Sequence, residues 1–233
     1  MSEWVNGERP FVILNVAMTA DGKIDTAARR GAAISSPRDR ERVDRLRAES
    51  DAVMVGGRTL TGDDPKLTVK SATLRAGRRA RGLDENPIKV GIISNAAGLR
   101  SDCQFLTAGP ARVFLYTAQQ TGAAQLERLR AQGVSVFVVG EQQVDLPETM
   151  RSLRSHGVAR LLVEGGSTLN AALLYRRLVD EVYIYVAPLI FGGADAPTLA
   201  GGPGFPRDEA IRLQELDVEQ LADGGVVIHY RVL

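Results

Sequence analysis

The sequence predicts an α/β fold: a mainly parallel mixed sheet with helices on both faces and a C-terminal antiparallel hairpin. Three observations carry that prediction. Short apolar runs alternate with segments of helical spacing through most of the chain, the pattern of strand–helix–strand units. Several runs, such as Ala52 to Val55, are apolar at consecutive positions, as in strands buried on both faces of a sheet. The last two runs, Ile211 to Val218 and Val226 to Val232, are separated by Ala222-Asp223-Gly224-Gly225, which reads as a hairpin turn.

Taken in order, Phe11 to Ala17 is the first strand, followed by a turn at Asp21-Gly22. Ser36-Pro37 starts a helix, with serine as N-cap and proline at the first helical position. Val43, Leu46 and Arg47 continue it to about Ser50. The strand Ala52 to Val55 ends in Gly56-Gly57, and a polar, Gly-rich stretch follows from Ser71 to Asn86. Strands are expected at Ile88 to Ile93, Arg112 to Tyr116, Val134 to Val139, Arg160 to Val163 and Glu181 to Ala187. Helices are expected at Gln119 to Gln132, Pro147 to Ser155 and Ser167 to Arg176. Crossovers between parallel strands are expected to be right-handed. No internal repeat or linker divides the chain, so residues 1–233 read as one domain with a flexible N-terminus at 1–9.

Composition narrows the function classes. With 233 residues, 44% hydrophobic and 24% charged, the chain can bury a core without staples. One cysteine, Cys103, forms no internal disulfide framework and suits a reducing compartment. No apolar run approaches the ~20 residues that span a bilayer. The segment from Met1 to Pro10 lacks the basic-then-apolar layout of a signal peptide, so a cytoplasmic protein is expected. A net charge of +1 supplies no global field for nucleic acid. Of two basic clusters, Arg38 to Arg47 alternates with acids on a helix, the pattern of a solvated face, and Arg75 to Arg81 reads as a mobile loop rather than a nucleic-acid patch. Two histidines and one cysteine leave no Cys/His zinc site, and no metal is expected.

Three local features point to chemistry. Glycine pairs follow two strands, in Val55-Gly56-Gly57-Arg58-Thr59-Leu60 and in Val163-Glu164-Gly165-Gly166-Ser167-Thr168-Leu169. Glycine permits close approach of a ligand, and free N–H groups at a helix start favour an anion. Ser167 and Thr168 add hydroxyl donors, and Ser167 can also cap its helix. Each pair also suits a plain tight turn, and neither is a Rossmann or Walker fingerprint. The second feature, Asp63-Asp64-Pro65-Lys66-Leu67-Thr68-Val69-Lys70, reads as a turn by composition alone. The third, Met18 to Lys23 at the end of the first strand, lies where α/β folds place ligands, but Asp-Gly is also a common hairpin turn.

Together these stretches closely resemble the pyrimidine reductases of riboflavin biosynthesis. The resemblance lies in Asn15 to Lys23, Ile34-Ser35-Ser36, Leu46-Arg47-Ala48, Val55 through Thr59, Asp63 to Thr68 and Glu164 to Leu169. It runs from about Pro10 to the C-terminus. It implies a dihydrofolate-reductase-like fold, a homodimer, and hydride transfer from NADPH to C1′ of a ribosylamino-pyrimidine 5′-phosphate, opening the ribose to a ribityl chain. It implies cofactor contacts at Ala17, Thr59, Asp63 and Ser94, with Gly165, Gly166, Ser167, Thr168 and Leu169 on the pyrophosphate. Substrate contacts are implied at Asn15, Arg47, Leu67, Lys70 and Glu164, with Arg47 and Lys70 on the 5′-phosphate. Asp63 and Glu164 are the two candidates for the catalytic acid. Arg58, with Ser94-Asn95, suits a cofactor 2′-phosphate.

Three positions depart from the family pattern. Ala33 stands where many members carry tryptophan, and Lys70 replaces a frequent arginine, keeping a point charge without the bidentate fork. Asn15 stands where bacterial two-domain members often have lysine, and resembles the stand-alone reductases that act on the 2,5-diamino-pyrimidinone before deamination. A single cysteine cannot supply a zinc deaminase's paired ligands. The competing readings are a diverged reductase of a pterin such as dihydrofolate, and a non-catalytic NADPH-binding protein.

Overall fold

The computed structural model describes residues 7–233, so residues 1–6 of the expected N-terminal tail lie outside the described residues. The elements run β1 (Phe11–Thr19), α1 (Pro37–Glu49), β2 (Ala52–Gly56), α2 (Gly57–Gly62), α3 (Ala72–Ala80) and β3 (Ile88–Ile92). A 3₁₀ turn (Ala96–Gly98), α4 (Gln104–Thr107), β4 (Val113–Thr117), α5 (Ala123–Ala131) and β5 (Ser135–Val138) follow. The chain continues with α6 (Leu146–Ser155), β6 (Arg160–Val163), α7 (Ser167–Tyr175) and β7 (Glu181–Ala187). It closes with β8 (Leu213–Gln220) and β9 (Val226–Val232). Two compact units divide these elements: residues 7–10 with 44–162, and residues 11–43 with 163–233.

In the first unit the strand order is β5-β4-β3-β2-β6, and β2 to β5 pair in parallel. Every residue of β2, β3 and β4 is buried, which is why these runs lack the apolar–polar alternation of half-exposed strands. β5 is the edge, with its two ends exposed. In the second unit the order is β1-β7-β9-β8. There β1 and β7 are parallel, while β7–β9 and β8–β9 are antiparallel, the predicted closing hairpin. Ile34, Tyr185, Ala187, Leu221 and Val227 form a buried cluster in this unit, with Ala17, Tyr183 and Phe191 packed on it. β8 is exposed along its whole length.

The predicted start of α1 is met by two sets of hydrogen bonds in the second unit. Ser36 Oγ accepts from Asp39 N at 3.2 Å, and Pro37 takes the first helical position. Asp223, in the hairpin turn, accepts from Arg38 N at 2.9 Å and from Ser36 Oγ at 3.0 Å. These bonds, that from the Arg38 backbone first, hold its carboxyl below the ordinary aspartate value.

The stretch expected to be a mobile, Gly-rich loop is corrected by the structure: residues 72–80 form α3. Ser71 caps the helix by accepting from Leu74 N at 3.3 Å. Alanine and arginine favour helix strongly enough to carry one glycine. Nor is the expected solvated face of Arg38 to Arg47 solvated throughout, since Asp39, Arg42 and Asp44 of α1 are buried, and the second basic run is partly buried too. Arg78 is 2% exposed and donates to the carbonyls of Ala48 (2.9 Å), Ser50 (2.7 Å) and Asp84 (2.8 Å). Arg81 donates to the Ala48 carbonyl as well, at 2.8 Å. Two arginines thus satisfy carbonyls at the C-terminal end of α1 that the helix itself leaves open. α2, α4 and the 3₁₀ turn, at three to six residues each, were not expected from the sequence. Among the described residues, no helix is long and apolar enough to cross a membrane.

Candidate functional site

In the first unit, β2 runs into α2 through Gly56, which occupies the N-cap without any side-chain cap bond. Gly57 has to be small, because a Cβ there would sit 3.0 Å from Ile93 Cγ1. Thr59 lies in α2, just past the carboxyl end of β2, and Ser94 lies just past the end of the parallel neighbour β3. Asp63 ends α2, with its N–H donating to Thr59 O at 3.0 Å, and is exposed. Asp64 has another task. It adopts a left-handed backbone (φ 45°), its Oδ1 accepts from Phe105 N at 3.2 Å, and its carbonyl accepts from Gln104 Nε2 at 3.2 Å. Ser94 Oγ accepts from Val144 N at 3.4 Å. Thr59 and Asp63 thus follow the carboxyl end of β2 in the chain, and Ser94 follows that of β3, the sheet edge where α/β folds place ligands.

The same unit carries three of the five predicted substrate residues, Arg47, Leu67 and Lys70. Arg47 donates from Nη1 to the Thr68 carbonyl at 3.1 Å. One turn earlier on α1, the buried Asp44 carboxylate accepts from Lys70 N at 2.7 Å and from Ser71 N at 2.8 Å. Val69 N, one residue earlier, donates to the buried Asn86 Oδ1 at 2.8 Å. The Lys70 backbone is held rigidly beside Arg47 while its side chain stays exposed. Leu67 is 1% exposed with φ 53°, so its side chain belongs to the core and its backbone is the part left to meet a ligand. Asp44 and Asn86 did not stand out in the sequence, because nothing local links them to the segment they pin.

In the second unit, Glu164 follows β6, and Gly165-Gly166 are joined by a cis peptide bond with Gly165 at φ 93°. Gly166 is the N-cap of α7 and offers no side-chain cap. Ser167 is the first residue of α7 rather than its cap, which is Gly166, and its hydroxyl donates to the Thr198 carbonyl at 2.6 Å. Thr168 is exposed and Leu169 is buried. Asn170, fully buried, donates from Nδ2 to the Leu199 carbonyl at 2.8 Å, while its Oδ1 has no hydrogen-bond partner among the described residues. Bare glycine backbone and the uncapped N–H groups at the start of a nine-residue helix fit the diphosphate of a nicotinamide cofactor.

On β1 of this unit, Asn15 and Ala17 point to one face, two residues apart. Asn15 is 8% exposed, and its Oδ1 accepts from Arg42 Nη2 at 2.7 Å. The motif at Met18 to Lys23 is a structural turn. Asp21 accepts from Thr19 Oγ1 (2.5 Å), Gly192 N (2.7 Å) and Phe191 N (3.2 Å). These bonds, Thr19's foremost, hold its carboxyl below the usual value. Among the described residues, no His/Cys/Asp/Glu group is arranged to hold a metal ion.

Residues 10–227 match the family model described as the RibD C-terminal domain. The chain is 38% identical over 219 residues to 2,5-diamino-6-ribosylamino-4(3H)-pyrimidinone 5′-phosphate reductase of Archaeoglobus fulgidus, covering 94% of this chain and 97% of that protein. Its fold superposes on a pyrimidine reductase-like protein from Corynebacterium diphtheriae with a TM-score of 0.82 at 18% identity, covering 96% and 92% of the two chains. It also superposes on dihydrofolate reductase of Enterococcus faecalis with a TM-score of 0.53 at 11% identity, covering 95% and 96%. The expected dihydrofolate-reductase-like fold is therefore the one observed.

Proposed function

The chain belongs to the family of RibD C-terminal domains, and from that premise we propose that it is an NADPH-dependent pyrimidine reductase of riboflavin biosynthesis. Its substrate in this reading is 2,5-diamino-6-ribosylamino-4(3H)-pyrimidinone 5′-phosphate, the compound named for the Archaeoglobus relative. The ribosyl group is reduced to ribityl before deamination, and residues 1–233 act as a single reductase domain. The observation that carries the reading is the pairing of Arg47 with Lys70. Arg47 on α1 and Lys70, whose backbone N–H is held by the Asp44 carboxylate of α1, offer two cations that suit a terminal phosphate.

NADPH supplies the hydride when bound. Gly165 to Leu169 hold its diphosphate through backbone N–H groups at the start of α7. Ala17, Thr59, Asp63 and Ser94 flank the cofactor, and Arg58 with Asn95 receives its 2′-phosphate. The substrate reacts as its open-chain imine, so C1′ gains a hydride and the attached nitrogen gains a proton. Arg47 and Lys70 anchor the phosphate, the Leu67 backbone and Asn15 orient the pyrimidine, and Glu164 accepts from its amino groups. Asp63 or Glu164 delivers the proton, directly or through water. The reading includes a homodimer that covers the exposed apolar residues Leu213, Leu216 and Val218 of β8. It is tested by offering the diamino-pyrimidinone and the amino-uracil phosphates with NADPH and with NADH. Highest kcat/KM for the diamino compound with NADPH supports it, and oxidation of NADPH by dihydrofolate alone refutes it.

A further inference from the structure

Asn15 has its amide oxygen committed within the second unit. Arg42 Nη2 donates at 2.7 Å both to Asn15 Oδ1 and to Asp39 Oδ1, and Arg42 Nε adds a bond to Asp39 Oδ1 at 3.0 Å. A guanidinium only donates, so the amide atom facing it is the oxygen and Nδ2 is the end turned away. The arrangement is tightly enclosed: Asp39 is fully buried and Arg42 is 7% exposed. The Arg42 guanidinium lies 5.6 Å from the centre of the Tyr183 ring, and Tyr183 is the direct neighbour of Asn15 in the β1–β7 register. On its other side Tyr183 stacks on His229 at 3.9 Å.

Stability alone does not account for this pair. Asp39 Oδ2 and Arg42 Nη1 are buried without a hydrogen-bond partner among the described residues. A buried ion pair with unsatisfied atoms commonly contributes less than apolar side chains of the same volume. Buried polar groups of this kind are best explained by what they orient.

We propose that Arg42, held by Asp39, is a positioning residue that fixes the Asn15 amide so that its NH2 group meets the pyrimidine. Asn15 then acts as a hydrogen-bond donor and selects a ring carbonyl or ring nitrogen lone pair. In this arrangement Glu164, an acceptor while ionised, reads the amino groups and Asp63 is the group that delivers the proton. This inference rests on the proposed function, in which Asn15 touches the substrate.

Asn15→Asp is the decisive variant, because its carboxylate keeps the bond from Arg42 and turns an acceptor where the donor was. The pyrimidine KM is expected to rise by about tenfold or more, beyond that of Asn15→Ala, with the NADPH KM and Tm near wild type. The double variant Asp39→Leu/Arg42→Met removes the lock without stranding a buried charge. It is expected to raise the pyrimidine KM several-fold at constant NADPH KM, with Arg42→Lys in the wild-type background retaining most of the affinity. If the double variant does not fold, the Asp-against-Ala comparison at position 15 still decides. An Asn15→Asp enzyme with a wild-type pyrimidine KM, or one no worse than Asn15→Ala, overturns the inference while leaving the proposed function standing. A wild-type chain that turns over neither pyrimidine overturns both.

Discussion

Asp63 and Asp64 are adjacent in sequence and opposite in circumstance. Asp64 spends its carboxylate on the Phe105 amide, whereas Asp63 sits exposed at the end of α2. Asp63→Asn is therefore expected to lower kcat about 100-fold or more with Tm unchanged, since a loop carboxylate lost from chemistry does not disturb the core. Steady-state kinetics beside a thermal melt check this, and near-normal turnover contradicts the assigned role. Lys70→Ala is expected to raise the pyrimidine KM about tenfold while the NADPH KM stays put, because a charged hydrogen bond to phosphate is lost. Equal shifts in both constants argue against phosphate binding. The motif residues themselves were legible in the sequence as a set of spaced letters. Their supports were not: Asp44 reaches Lys70 across 26 positions and Arg42 reaches Asn15 across 27. The hydroxyl of Ser167 escaped for the same reason, since its acceptor lies 31 residues away at Thr198.

At the scale of elements, long periodic or uniformly apolar segments were read with small errors at their ends. β6, β7 and β9 match their expected bounds, and the helix expected from Gln119 starts only at Ala123, after Gly122 takes the N-cap. Short helices escaped because a single turn has no period to detect. α3 escaped because its glycine and run of arginines resemble loop composition. Gly77 lies mid-helix and exposed, and a methyl group added there would meet nothing within 4 Å. Gly77→Ala should accordingly stabilise the protein by about 0.5–1 kcal/mol, visible as a higher Tm; a lower Tm contradicts the helical assignment. Lys89, fully buried on β3, donates to the carbonyls of Phe105 (2.9 Å), Gln104 (3.4 Å) and Ala108 around the end of α4. Burial pushes its ammonium down from the ordinary 10.5 to about 8. Between those values the unfolded chain binds the proton and the folded one does not, so stability from this group rises with pH through that window and is lost as pH falls towards 8. Wild-type Tm is expected to climb relative to Lys89→Met from pH 8 to 10.5, and parallel curves contradict a lowered Lys89.

For the molecule as a whole, the alternation of strands and helices anticipated both the parallel pairing of β2 to β5 and the antiparallel close of β7, β9 and β8. It did not anticipate the two compact units, because strands from distant parts of the chain, β1 and β7 to β9, group together by long-range pairing that local periodicity does not encode. Family membership spans both, since the matched residues 10–227 include nearly all of each. The central claim is that this chain delivers a hydride to the ribose C1′ of a pyrimidine ribosyl phosphate. Turnover with NADPH deuterated at the nicotinamide C4, followed by mass spectrometry and NMR of the product, tests it most directly. Deuterium at C1′ of a ribityl product is the predicted result; unchanged ribosyl substrate, with label found only in a reduced pterin or not transferred at all, contradicts the account.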